Sequence, residues 1–187
     1  MQCRRTRQAG FTLTELMIVV VIMAVLAITG ITYFRQHALA SKVTEAQAMV
    51  QSIRAAEERY RAENRAYLNV TLTLPTSGAD PRYYPAPPDG KRRSFFQPAA
   101  STAPPNPLWW VLNPTTSGPV QFGYAVVAGA AGDTLPTMQL TNQPLWPATT
   151  DSWYVIQAVA NNDNDSVYCV VAGTSFNGEV YVENEGE

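Results

Sequence analysis

Nothing between Phe11 and Tyr67 stops a helix. All fourteen prolines lie at or after Pro75, and the only glycines before that point are Gly10 and Gly30; proline and glycine are the residues that most often end a helix. Read continuously, the segment is roughly 57 residues, about 85 Å at 1.5 Å of rise per residue. A chain of 187 residues has no room to bury such a rod in its own core.

The rod has two chemistries. Leu16 to Phe34 is apolar apart from Thr29, Thr32 and Gly30, about the 20 residues that span a bilayer. One acid, Glu15, opens this run. A carboxylate there costs about 2.5–3.5 kcal/mol even on the lenient insertion scale, so it reads as a functional residue in need of a partner. From Lys42 onward the pattern turns amphipathic, with Val43, Ala46, Val50, Ile53 and Tyr60 on one face and Met49 and Ala56 beside them. The opposite face carries Arg54, Glu58, Arg59, Glu63 and Arg65, and Arg54/Glu58 and Arg59/Glu63 are spaced to pair across one turn.

After the rod the punctuation changes. Ten prolines fall between Pro75 and Pro114, too many for central strands, and the aromatic content speaks against a plain linker. This region is expected to be an ordered loop with one short strand at Trp109–Leu112. Four strand patterns follow, starting at Val120, Ser152, Ser166 and Glu179 and separated by Gly, Asn and Asp turns. The last three suggest an antiparallel meander. A sheet with one apolar face, folded onto the amphipathic half of the helix, would give each the partner it lacks. With 46% apolar residues the chain can build that core.

Charge is unevenly placed. Arg4, Arg5 and Arg7 precede the apolar run, and without the first ten residues ten basic groups face fifteen acids, a net charge of −5. Such a surface has no general attraction for nucleic acid or an anionic membrane face. The basic start fits a cytoplasmic N-terminus under the positive-inside rule, with the rest of the chain across the membrane. An ordinary secretory signal has a shorter apolar core and a clean break after it; here the core runs straight on.

The residues Gly10 to Ile28, GFTLTELMIVVVIMAVLAI, resemble the prepilin-type proteins: type IV pilins, minor pilins and the pseudopilins of type II secretion. A short basic leader, Gly then Phe, and Glu at the fifth position of the mature chain carry the resemblance. It continues more weakly through EAQAMVQSIRAAEERYRAENRAYL. It implies an α+β, pilin-like fold: a leader (1–10), a transmembrane or filament-core half-helix (11–34), an amphipathic half-helix (35–68), the proline-rich and aromatic loop region (69–119) and an antiparallel sheet (120–187). It also implies a structural subunit rather than an enzyme, without a cofactor. A prepilin peptidase would cut between Gly10 and Phe11, and Phe11 would be N-methylated. The protein would sit in the inner membrane with a periplasmic head, then join an extracellular pilus (fimbrium) or a periplasm-spanning secretion filament. Its partners would be copies of itself and other pilin subunits, the peptidase/methyltransferase, the inner-membrane assembly platform and the lipid bilayer.

The resemblance assigns Glu15 to assembly, where it would meet the terminal amine of a neighbouring subunit. Desolvating a carboxylate is costly, but an ammonium at one axial stagger offsets the cost, so Glu15 would set register. Many pilins have proline where this chain has Thr32. Gly30, with Thr29 and Thr32, still marks a weak point, read either as a place where the helix bends in a filament or as a close-packing site. Many major pilins also bracket their C-terminal region with a disulfide. Here Cys3 and Cys169 would be separated by processing, which favours another branch; Cys169 reads as a small buried residue.

Other motifs are weighed against plainer readings. Asp163 and Asp165, in NNDNDS, are candidate calcium ligands, but no glycine lies inside the run and no bidentate Glu follows, so a hairpin turn is the simpler reading. Lys91, Arg92 and Arg93 near Tyr83, Tyr84, Phe95 and Phe96 mimic a single-strand nucleic-acid platform, against the acidic balance of the mature chain. Trp109 and Trp110 suit a cover for the sheet or a subunit contact. His37 lies beside the apolar run, and Glu57 and Glu58 point about 100° apart on a helix, so neither suits catalysis. Two rivals remain: an uncleaved membrane-anchored extracytoplasmic binding protein, and an exported enzyme cleaved near Ala27.

Overall fold

A computed structural model of the chain describes residues 11–96, 107–163, 165 and 167–185, the side chains of Thr32, Arg35 and Gln36 apart. The order is a helix α1 (Leu13–Asn64), a short helix α2 (Leu108–Leu112) and strands β1 (Gly123–Gly129), β2 (Trp153–Ala160), β3 (Cys169–Thr174) and β4 (Val180–Glu183). The chain is α+β and pilin-like, as the resemblance to prepilin-type proteins implies. Two compact units divide between Ala38 and Leu39.

In the first unit the helix runs without interruption through Gly30, where an added Cβ would meet nothing within 4 Å. Leu13–Ile31 is long and apolar enough to cross a membrane, and its apolar side chains are exposed throughout. His37 is exposed as well.

In the second unit α1 presents Val43, Ala46, Met49, Val50, Ile53 and Ala56 to the core, with Tyr60 packed at the margin. The three- and four-residue spacing therefore marks the buried face correctly. The helix ends at Asn64, earlier than Tyr67, because Arg65 enters the left-handed region at φ 60° and its N–H bonds Arg61 O at 2.7 Å. No glycine announces this stop. The predicted one-turn ion pairs do not form. Arg54 is buried and Nη2 donates to Glu179 O at 2.5 Å, while Arg59 Nη2 donates to Leu112 O at 2.6 Å. A backbone carbonyl just before β4 and one at the end of α2 capture the two guanidinium groups.

The sheet is a fully antiparallel meander in the order β1-β2-β3-β4. Alternation puts Tyr124, Val126, Ile156, Ala158, Cys169 and Val171 on the face toward α1. The other face is also buried, contrary to the one-sided sheet expected: Val127, Trp153, Val155, Val159 and Ala172 lie under Leu74, Tyr83, Met138 and Leu140. Connecting segments form this second cover, which explains why β1 to β3 read as nearly continuous apolar runs.

The described part of the proline-rich segment is bound to the edge of the sheet at β1. Tyr84 and Tyr124 exchange backbone hydrogen bonds of 3.0 and 2.8 Å, and Arg93 and Val120 exchange two of 2.8 Å. A Cβ at Gly123 would stand 2.8 Å from Tyr83 Cβ and 3.0 Å from Pro88 Cβ. Gly123→Ala should therefore lower stability by about 1–3 kcal/mol in urea unfolding followed by circular dichroism. Gly118→Ala, where a Cβ meets nothing within 4 Å, should change it by less than about 0.5 kcal/mol. Equal effects would mean that the segment does not press on β1.

Trp109–Leu112 is helix, not strand. Pro107 enters it with helical φ and ψ (−64°, −16°), and Asn113 closes it in the left-handed region with its N–H on Trp109 O. The turn drives Trp109 fully inside, where its ring meets Phe95 edge-on at 5.2 Å and stacks on Tyr84 at 6.0 Å. Trp110 stays half exposed against Phe96.

Candidate assembly site

The start of α1 is built by its own side chains. Thr12 precedes the first helical residue, and its Oγ1 accepts the Glu15 N–H at 3.2 Å. Glu15 Oε2 in turn accepts the Thr12 N–H at 3.0 Å and the Thr12 hydroxyl at 2.8 Å. This reciprocal arrangement is a capping box, and it satisfies two N–H groups that have no partner within the helix. The T-x-x-E spacing before an apolar run was the available signal for it. Glu15 thus has a local task in the isolated chain and a free flank, because both Phe11 and Glu15 are exposed. Gly10 and the leader arginines Arg4, Arg5 and Arg7 lie outside the described residues.

The other candidates sit in the head. Each member of the basic run has a carboxylate: Arg93 Nη2 lies 2.8 Å and Lys91 Nζ 3.4 Å from Asp89 Oδ2, and Arg92 Nη2 3.8 Å from Glu45 Oε2. Tyr83, Tyr84 and Phe95 are buried, so they have no free ring face for a base. The mimicry of a nucleic-acid platform dissolves in three dimensions.

Asp163 and Asp165 behave as turn residues. Asp163 Oδ1 accepts the Asp165 N–H at 3.3 Å, and Asp165 Oδ1 accepts the Val167 N–H at 2.6 Å. These side-chain bonds two residues on are Asx turns. Among the described residues no three His, Cys, Asp or Glu side chains gather as metal ligands. Cys169 is buried in β3, and burial pushes its thiol up to about 11, which makes it inert. The helix acids divide as their 100° offset requires: Glu58 faces the Tyr67 hydroxyl, while Glu57 is wholly buried, a placement the amphipathic pattern missed.

The prokaryotic N-terminal methylation motif matches residues 5–31, the leader and the first part of the apolar helix. Similarity reaches far beyond that motif. The type II secretion system core protein G of Pseudomonas aeruginosa is 31% identical over 116 residues, 62% of this chain and 81% of that protein. The chain belongs to the core protein G family, the pseudopilins. Its counterpart in Pectobacterium carotovorum subsp. carotovorum is 32% identical over 118 residues, 60% of this chain and 71% of that protein. No solved structure matches the chain. Membership makes this pseudopilin a structural protein and not an enzyme. It agrees with the branch suggested by the missing disulfide.

Proposed function

We propose that this chain is a filament subunit of a type II secretion system, cut between Gly10 and Phe11 by a prepilin peptidase and N-methylated at Phe11. The supporting observation is the likeness to core protein G over most of that protein's length, together with the Thr12–Glu15 arrangement at the start of an exposed apolar helix. Before assembly Leu13–Ile31 is held in the inner membrane, with the arginine-rich leader in the cytoplasm and the head in the periplasm. In the filament, neighbouring copies and other pseudopilins replace lipid around the helix, and the assembly platform draws subunits in. Glu15 then meets the amine released at Phe11 of the next subunit. A pair of opposite charges in an apolar core tolerates only one stagger.

The first test is chemical. Protein from cells that contain the peptidase should begin at Phe11 and carry the mass of one added methyl group, and Gly10→Val should leave the leader attached. Finding Met1 intact on membrane-bound protein would support the uncleaved binding protein instead. Cleavage near Ala27 with a soluble product would support the exported enzyme.

A further inference from the structure

Glu57 has no solvent-accessible surface, and it faces the core from α1. Its Oε2 accepts the Leu68 N–H at 2.9 Å, and its Oε1 is buried without a hydrogen-bond partner. Among the described residues no cation pairs with it. Arg54, one turn earlier on α1, is committed to Glu179 O through Nη2, and its Nε is buried and unpartnered. Arg61, one turn later, donates to the Tyr67 hydroxyl and lies over that ring at 4.9 Å. Tyr67 donates in turn to Glu58. From the sheet comes Tyr154 of β2, whose ring meets Tyr67 edge-on at 4.7 Å. The Glu179 carboxylate on the far side is held by the Tyr181 hydroxyl.

Leu68 belongs to the segment 65–72, which leaves α1 at Arg65 and ties to β1 through Thr71, whose N–H and hydroxyl both reach Val126 O. Between these points the Glu57 carboxylate holds the segment by one backbone N–H. An ionised carboxylate without a cation is among the costliest groups to enclose.

We propose that Glu57 is a proton-operated latch: neutral, it stays beneath the sheet and holds the Leu68 N–H; ionised, it turns out to water and frees segment 65–72. On opening, the proton passes to solvent and the Leu68 amide exchanges its carboxyl acceptor for water. Burial, aided by the neighbouring Glu58 and opposed by the Leu68 N–H, raises the Glu57 carboxyl to about 7. The sign follows. An acid raised on folding lends its full stabilisation below the ordinary carboxylate range and loses it as pH climbs through about 7, so the latch is closed in mild acid and open in mild base. The latch concerns the head alone and does not rest on the assembly reading.

The test is amide hydrogen exchange by mass spectrometry on the full chain in detergent micelles from pH 5.5 to 8.5, corrected for intrinsic exchange. Protection of peptides covering 65–72 should fall at least tenfold across that range, while β2 peptides hold theirs. Glu57→Gln, neutral at every pH, should flatten the profile, and Glu58→Gln should not. Carbon-13 NMR of labelled glutamate in the unmutated chain should show one carboxyl titrating near neutrality in step with the loss of protection. That arm stands even if the Gln variant fails to fold. Flat protection in the unmutated chain, the same fall in Glu57→Gln, or no carboxyl titrating near neutrality would overturn the latch.

Discussion

Glu15→Ala is expected to cut incorporation into filaments by about two to four orders of magnitude, because leaving one partner of a buried ion pair alone costs about 3–5 kcal/mol. The geometry at the start of α1 makes Ala an ambiguous test on its own, since it removes the charge and also half of the capping box. Glu15→Gln separates the two. Glutamine serves a capping box as glutamate does, yet it offers no charge to an ammonium. If register is electrostatic, Gln should fail nearly as badly as Ala, and Asp should recover part of the loss. The measurement is the amount of subunit in filaments sheared from cells, against total subunit in the membrane. Normal incorporation of the Gln variant would reduce Glu15 to a cap and end the register proposal.

The largest stability effect should come from Trp109→Ala. This side chain is fully enclosed, flanked by Phe95 and Tyr84, and it fastens α2 to the core beneath the proline-rich segment. Truncating an enclosed tryptophan costs about 3–5 kcal/mol, from lost burial and the cavity left behind. Its neighbour is the internal control: Trp110 is 46% exposed, and Trp110→Ala should cost less than about 1 kcal/mol. Urea unfolding of the full chain in micelles, followed by far-ultraviolet circular dichroism, measures both. A Trp109→Ala midpoint equal to that of Trp110→Ala would mean that α2 is not anchored as described. Trp109→Phe should cost less than Ala, because it keeps an aromatic ring and removes an indole N–H that has no partner.

The elements that were legible in advance are those with local signals. The absence of proline before Pro75, with Gly10 and Gly30 the only glycines there, set out the long helix, its apolar face from Val43 to Tyr60 emerged from spacing, and four runs of β-branched and aromatic residues became β1 to β4. Glu15 stood out for a local reason too, being a lone acid at the head of an apolar run.

Errors gathered where distant residues decide. Trp109–Leu112 has the composition of a strand, but Pro107 at its start, Asn113 at its end and the pocket made by Phe95 and Tyr84 turn it into a helix. Arg54 has a well-spaced acid one turn away and still donates to the carbonyl of Glu179, a residue 125 positions along the chain. Glu45 likewise takes Arg92 and the Gln121 N–H from remote loops.

The sequence by itself determined the helix, its division into membrane-like and amphipathic halves, the four strands after Val120 and the acid at the start of the helix, since each depends on residues within a few turns of one another. Only the tertiary structure decided that both faces of the sheet are covered, that the basic loop is neutralised and that Glu57 lies inside. Those outcomes follow from which buried polar groups find partners across the chain, a condition that no local pattern of residues records.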